Sequence, residues 1–200
     1  MTVLRGKVAL ITGSSRGIGA AIARRFAREG AAVALHGRDR EALAGVRRDI
    51  ARAGADTSVI ELVADVTTFV QIEAMRRQIE KALGAVDILV ANAGGSFTAP
   101  GPFEEITEDG WRASIDGNLT ATFLTIKSFL PGMKARQSGN IITLSSAAAR
   151  RPHPQSPVPY AAAKAGVQML TQHLAAQVGP YGIRVNCLAP ETVLTERNRE

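Results

Sequence analysis

Tyr160 and Lys164 stand four residues apart in Tyr160-Ala161-Ala162-Ala163-Lys164, a spacing that puts a phenol and an ammonium on one face of a helix. A free phenol ionises only near pH ~10, too high for acid–base work at neutrality. A neighbouring cation favours the phenolate and brings proton exchange within reach of neutral pH. The alanines between the two leave room for a ligand or a second helix to approach. A different chemistry is written in Thr12-Gly13-Ser14-Ser15-Arg16-Gly17-Ile18-Gly19. Gly13 can take a tight turn, Gly17 can let backbone approach a pyrophosphate, and Gly19 can let a helix pack close on a sheet. A helix that opens there presents N–H groups and partial positive charge to an anion. The expected ligand is a dinucleotide.

The residues that choose between dinucleotides lie further on. An acid at the end of the second strand would hold a ribose 2′-hydroxyl and repel a 2′-phosphate. That strand ends Leu35-His36-Gly37-Arg38, with no acid before Asp39. Arg38 and Arg16 together suit a phosphate monoester, so NADP(H) is the expected cofactor, with NAD(H) as the alternative.

These residues need elements to position them. Short β-branched runs alternate with longer amphipathic or Ala-rich stretches. Strands are expected at 7–12, 31–36, 57–63, 86–91, 140–145 and 183–188. Helices are expected at 17–29, 39–53, 67–83, 107–135 and 160–178. Thr67 or Thr68 is read as the cap of the third expected helix. The helix over 107–135 should bend near Gly117, and Pro131-Gly132 should end its regular part. Pro100 and Pro102 mark the stretch before it as loop. A second Pro-rich stretch, Pro152 to Pro159, should stiffen the approach to Tyr160, with Pro159 at the first helical position. Six strands alternating with helices define an α/β fold with a doubly wound parallel sheet, a Rossmann fold, in one domain over 1–200.

Composition excludes other classes. The 200 residues are 46% hydrophobic and 21% charged, which suits one domain with a full core. The 24 basic and 18 acidic side chains leave +6, an invitation to read nucleic-acid binding. The basic pairs are scattered, however, and nine aromatic residues are too dispersed for a stacking platform. No nucleic-acid partner is expected. Nor is a membrane partner, since no apolar run approaches the ~18 residues a span requires. Val8-Ala9-Leu10-Ile11 is too short for a signal peptide and runs straight into glycines. With a single cysteine, Cys187, no internal disulfide can form, and a cytoplasmic protein is expected. His36, His153 and His173 are too far apart to suggest a metal site, and Cys187 reads as a small core residue.

Thr12-Gly13-xxx-Gly17-x-Gly19, Asn92-Ala93-Gly94, Asn118, Ser145-Ser146 and Tyr160-xxx-Lys164 occur in the order that characterises short-chain dehydrogenases/reductases. The resemblance covers essentially the whole chain. It is strongest to the bacterial branch containing 3-oxoacyl-carrier-protein reductases and sugar or polyol dehydrogenases. It implies that Tyr160 is the catalytic acid in carbonyl reduction and the base in alcohol oxidation. Lys164 would favour its phenolate and hold the nicotinamide ribose. Ser146, second of its pair as in the family, would bond the substrate oxygen, and Asn118 would hold a proton-relay water. Cofactor contacts are implied for Gly13, Ser15, Arg16, Gly17, Ile18, Gly19, Arg38, Asp65, Val66, Asn92, Ala93, Gly94, Pro190, Val193 and Thr195, besides Tyr160 and Lys164. Asp65 would lie near the adenine amino group. A small-molecule carbonyl or alcohol is the implied substrate, with a thioester among the candidates. A homo-oligomer, dimer or tetramer, is implied too, with the helices over 107–135 and 160–178 as its interface.

The sequence departs from the family in three places. Pro190-Glu191 replaces the usual Pro-Gly, which should reshape the nicotinamide pocket, because glutamate takes positive φ less readily than glycine. The chain reaches only Glu200, where relatives usually continue into a substrate lid and a last strand; those are expected to be missing from the sequence as given. Arg150-Arg151-Pro152-His153-Pro154-Gln155 adds a basic loop that could favour an anionic substrate. The rival reading is a non-catalytic NADP-binding sensor or scaffold of the same fold.

Overall fold

Strands β1 (Val8–Ile11) and β4 (Ile88–Ala91) are buried at every residue, as unbroken apolar runs must be when helices cover both faces of a sheet. The computed structural model describes residues 2–195. Around these two strands lie β2 (Ala32–Gly37), β3 (Val59–Val63), β5 (Gly139–Leu144) and β6 (Ile183–Leu188). The six form one sheet in the order β3-β2-β1-β4-β5-β6, and every pairing is parallel. The order reverses between β1 and β4, so the chain leaves the sheet in opposite directions there and opens a crevice beyond the carboxyl ends.

Alternation along the strands divides the core into two layers. Ala9, Ile11, Val33 and Leu35 face α1 (Gly17–Arg28) and α2 (Arg40–Arg52). Val8, Leu10, Leu89 and Ile141 face the other layer, built by α3 (Phe69–Leu83), α5 (Ala121–Ala135) and α6 (Val158–Val178). The short helix α4 (Glu108–Ile115) packs against α6 at the carboxyl edge. Thr107 caps it, Oγ1 accepting from the Gly110 N–H at 3.1 Å.

The helix expected over 107–135 is interrupted near Gly117, as its sequence suggests: a π turn, Asp116–Thr120, joins α4 to α5. Pro131 does not end its regular part. Helix α5 runs through it to Ala135 because Ile126, Phe129 and Met133 are anchored in the core on both sides of the proline. The true stop is Gln137, at φ 49°: its N–H donates to Lys134 and that of Ser138 to Met133, the paired bonds of a left-handed helix end. Two smaller expectations also shift. Helix α6 begins at Val158, which puts Pro159 at the second helical position, where an N–H is equally dispensable. Thr68 precedes α3 but makes no capping bond with its side chain, while Thr67 bonds Asp65 instead. Cys187 is only partly buried rather than in the core, because β6 is the outermost strand among the described residues.

No helix among the described residues is long and apolar enough to cross a membrane. Leu89 is fully buried in the central strand β4. Leu89→Ala should lower unfolding free energy by about 2–5 kcal/mol, read as a fall in the urea midpoint at unchanged slope.

Candidate functional site

The carboxyl ends of β1, β2 and β4 are tied together by side chains before any ligand is considered. Thr12 Oγ1 accepts from the N–H groups of Asn92 and Ala93, each at 3.0 Å, and donates to the Val90 carbonyl at 3.3 Å. Asn92 Nδ2 donates back to the carbonyls of Thr12 at 2.8 Å and Gly13 at 3.1 Å. On the opposite side the Gly13 N–H donates to His36 Nδ1 at 3.2 Å. Ser14 closes against the His36 backbone, its N–H donating at 2.8 Å and its Oγ accepting at 2.9 Å. Gly13 sits at φ 66°, and a Cβ there would lie 2.9 Å from Ala93 Cα, so the turn admits only glycine.

His36 is 2% exposed, and burial holds its pKa below the usual imidazole range. The Gly13 bond requires an unprotonated Nδ1, which assigns the proton to Nε2, 3.1 Å from the Ala64 carbonyl. One neutral ring thus links the glycine turn to the end of β3.

Two adjoining clefts open from this edge. The first, of about 670 Å³, is lined by Ser15, Arg38, Asp39, Asp65 and Val66, together with Gly13, Arg16, Ala93 and Gly94. Bonds from the Thr67 N–H and hydroxyl, and then the nearby Arg38 charge, hold the Asp65 carboxyl below the usual carboxylate range. Asp39 caps α2, Oδ1 accepting from the Ala42 N–H at 3.0 Å, and its other oxygen lies 3.5 Å from Arg16. The acid that follows Arg38 is therefore part of the cleft, a placement the strand-end spacing did not suggest.

The second cleft, of about 620 Å³, shares Gly13, Arg16 and Gly94 with the first. Gly17, Ile18, Gly19, Asn92, Ser146, Tyr160, Lys164, Pro190, Val193 and Thr195 line it. Lys164 is 5% exposed; its Nζ donates to the Leu144 carbonyl at 2.8 Å and lies 5.7 Å from the centre of the Tyr160 ring. Burial brings its pKa down to about 8, an effect that Cys187 nearby opposes. Ser145 is buried and its Oγ donates to the Lys164 carbonyl at 2.8 Å, which ties β5 to α6. Ser146 is half-buried, its Oγ accepting from the Ala148 N–H at 3.2 Å.

Asn118 is the exception among the candidate catalytic and cofactor-binding residues, since it lines neither cleft. It is fully buried in the π turn. Its Oδ1 accepts from the Gly95 N–H at 3.0 Å, and its Nδ2 donates to the carbonyls of Gly95 at 2.9 Å and Ser114 at 2.8 Å. Its own carbonyl accepts from Thr122 Oγ1 at 2.8 Å. Glu191 is exposed, with a carboxylate 3.6 Å from Arg151, so part of the basic loop's charge is already paired. Among the described residues Gln137 is the non-glycine with positive φ, so Glu191 does not adopt the glycine-like conformation that Pro-Gly would allow there. Reasoning from sequence missed the structural work of Thr12 and His36; the only signal was a buried-strand run ending in a polar residue. Among the described residues no group of three His, Cys, Asp or Glu is placed to hold a metal ion.

A groove of two lobes with a glycine turn between them has the form of a site for two linked nucleotides, their pyrophosphate at the turn. Residues 7–200 match the family model described as short chain dehydrogenase, and the chain belongs to that family of oxidoreductases. It is 37% identical to cyclohexanol dehydrogenase of Rhodococcus sp. (strain TK6), over 97% of this chain and 77% of that protein. Among solved structures it is similar to a 3-oxoacyl-[acyl-carrier protein] reductase with bound NAD from Brucella melitensis (33% identity, TM-score 0.91, 98% of this chain and 74% of that one). It is equally similar to L-sorbose reductase from Gluconobacter frateurii complexed with NADPH and L-sorbose (33% identity, TM-score 0.91, 98% and 74%). The family uses nicotinamide cofactors, and its bacterial reductase branch is consistent with these matches.

The neutral His36 has a stability signature. The unfolded chain takes up its proton near the ordinary imidazole pKa of about 6.5, whereas the folded chain refuses it until lower pH. In that window the unfolded state binds more protons, so stability should fall as pH drops below about 6.5, by at most ~1.4 kcal/mol per pH unit. Urea midpoints between pH 8 and 5 should show this slope in the wild type and lose it in His36→Asn.

Proposed function

We propose that this chain is an NADP(H)-dependent oxidoreductase acting on a carbonyl or secondary alcohol through Ser146, Tyr160, Lys164 and Asn118. The observation that carries the reading is that Tyr160, Lys164 and Ser146 line one cleft, which opens directly onto the glycine turn. The dinucleotide supplies the hydride chemistry, and the protein contributes orientation, polarisation and the proton. In reduction the Tyr160 hydroxyl gives its proton to the carbonyl oxygen; in oxidation the phenolate takes it back. The Ser146 hydroxyl donates a hydrogen bond to the same oxygen as negative charge develops on it. Ser145 is the weaker candidate because its hydroxyl is committed to the Lys164 carbonyl.

Lys164, anchored on Leu144, presents its charge to Tyr160 and to ribose hydroxyls. Asn118 acts in this reading through the loop that it holds at Gly95, and a relay water on its carbonyl would share that atom with Thr122. Gly13, Ser15, Gly17, Ile18 and Gly19 surround the pyrophosphate, Asp65 and Val66 the adenine, and Pro190, Val193 and Thr195 the nicotinamide amide. Asn92, Ala93 and Gly94 support the crossing between the two lobes.

The preference for NADP(H) over NAD(H) rests on Arg16 and Arg38 lining one lobe. The acid beside them, Asp39, already accepts from Ala42 and faces Arg16. The substrate is a small carbonyl or alcohol compound, with a thioester among the candidates, and the basic loop beside the mouth favours an anionic one. The protein works in the cytoplasm as a homo-oligomer, with the faces of α4–α5 and α6 that carry the exposed Trp111, Phe123 and Met169 at its interface.

Oxidation of NADPH followed at 340 nm against acetoacetyl thioesters, keto-sugars and cyclic ketones tests the reaction. Tyr160→Phe should lose ~10²–10⁴-fold in kcat while still binding NADPH. Ser146→Ala should be crippled, and Ser145→Ala should keep most activity. NADPH binding with no turnover on any of these compounds would favour a sensor or scaffold. The cofactor preference is read separately: NADPH should bind at least ~10-fold more tightly than NADH, and Arg38→Asp should remove the difference.

A further inference from the structure

Phe97 is a large apolar side chain that leaves 44% of its surface open, yet it stands inside the groove. The loop that carries it straddles the two lobes. Ser96 and Pro100 line the lobe of Tyr160, whereas Phe97 lines the other, alongside Arg38, Asp65 and Val66. Its seat is made by an omission. Gly117 lies directly beneath the ring, and a methyl group there would overlap it.

The chain on both sides of the ring is held against the same helical segment, by backbone bonds on one side and side-chain packing on the other. Two residues earlier, Gly95 is gripped at its N–H and its carbonyl by Asn118, at 3.0 and 2.9 Å. One residue later, Thr98 packs on Gly110, where an added Cβ would come within 2.7 Å of Thr98 Cγ2. An aromatic face held this way loses little freedom when a flat ligand arrives. Every nucleobase has a π face to lay against it.

We propose that Phe97 is a further cofactor-binding residue, an aromatic platform for the purine base of the dinucleotide, with Gly117 kept bare to seat it. This rests on the dinucleotide reading above. Neither residue was singled out for this purpose in the sequence, where Phe97 sits in a loop and Gly117 reads as a helix bend. The platform adds affinity to the adenosine half of the ligand and nothing to the nicotinamide half.

Titration calorimetry with NADPH and NADH, and ligand-observed NMR with 5′-AMP and nicotinamide mononucleotide, would test it on wild type, Phe97→Ala, Phe97→Tyr and Gly117→Ala. Phe97→Ala should weaken the dinucleotide and 5′-AMP by roughly 10-fold each and leave nicotinamide mononucleotide unchanged. Phe97→Tyr should restore binding because it keeps the ring, and Gly117→Ala should resemble Phe97→Ala because it displaces the ring. Thermal unfolding of each variant separates these effects from loss of fold. If wild type binds NADPH or NADH and Phe97→Ala binds it equally well, the platform is overturned and the dinucleotide reading stands. Equal weakening of both half-ligands, or a change in turnover alone, also overturns it. If wild type binds neither dinucleotide, both readings fall.

Discussion

Gly13 is held from two sides, by Asn92 just beyond β4 and by His36 on β2, and the rest of the groove takes its geometry from that double grip. The turn lies where the strand order reverses, so its neighbours come from strands far apart in the chain. Thr12 and Asn92 form a closed set: one hydroxyl accepts from two N–H groups and donates to a carbonyl, and one amide donates to two more carbonyls. Buried polar groups left unpaired would each cost about 1–3 kcal/mol, so a network with its bonds complete holds one arrangement. His36 joins the turn to the end of β3 through an unprotonated Nδ1, so that link depends on the ring staying neutral.

A comparable logic places Tyr160 and Lys164. Helix α6 is pinned to β5 by the Ser145 bond to Lys164 and by the buried hydroxyl pair Thr143–Thr171 at 2.7 Å. The Lys164 ammonium reaches back to the last carbonyl of β5. A buried charge would ordinarily be expelled or neutralised; here one carbonyl and the adjacent aromatic ring hold it, and burial still draws its pKa down to about 8. The amine is therefore fixed to the strand end as well as to its helix.

The π turn shows how a local irregularity sets a distant loop. The extra residue it admits turns Asn118 inward, where its amide is used up on Ser114 and Gly95. The same turn places Gly117 outward beneath Phe97. One distortion of one helix thus holds the loop at Gly95 and seats Phe97, between the two lobes of the groove.

Much of the fold was legible in the sequence because parallel strands buried on both faces read as continuous apolar runs and the helices between them as periodic ones. The glycine turn and the Tyr160–Lys164 spacing were legible for a related reason: each depends on residues close together in the chain, while Arg16 and Arg38 were legible one at a time, from the turn and the strand end that each occupies. The end of α5 was misread at Pro131 because the stop at Gln137 depends on core packing that holds the helix past the proline. Tertiary structure alone decided that Asn92 and His36 meet at Gly13, that the Ser145 hydroxyl is committed to α6 while that of Ser146 is not, and that Asp39 faces Arg16. Local spacing can specify a turn or one face of a helix. Which side chains then converge depends on sheet order and register, which unite residues as far apart as positions 12 and 92 through bonds that no local pattern encodes.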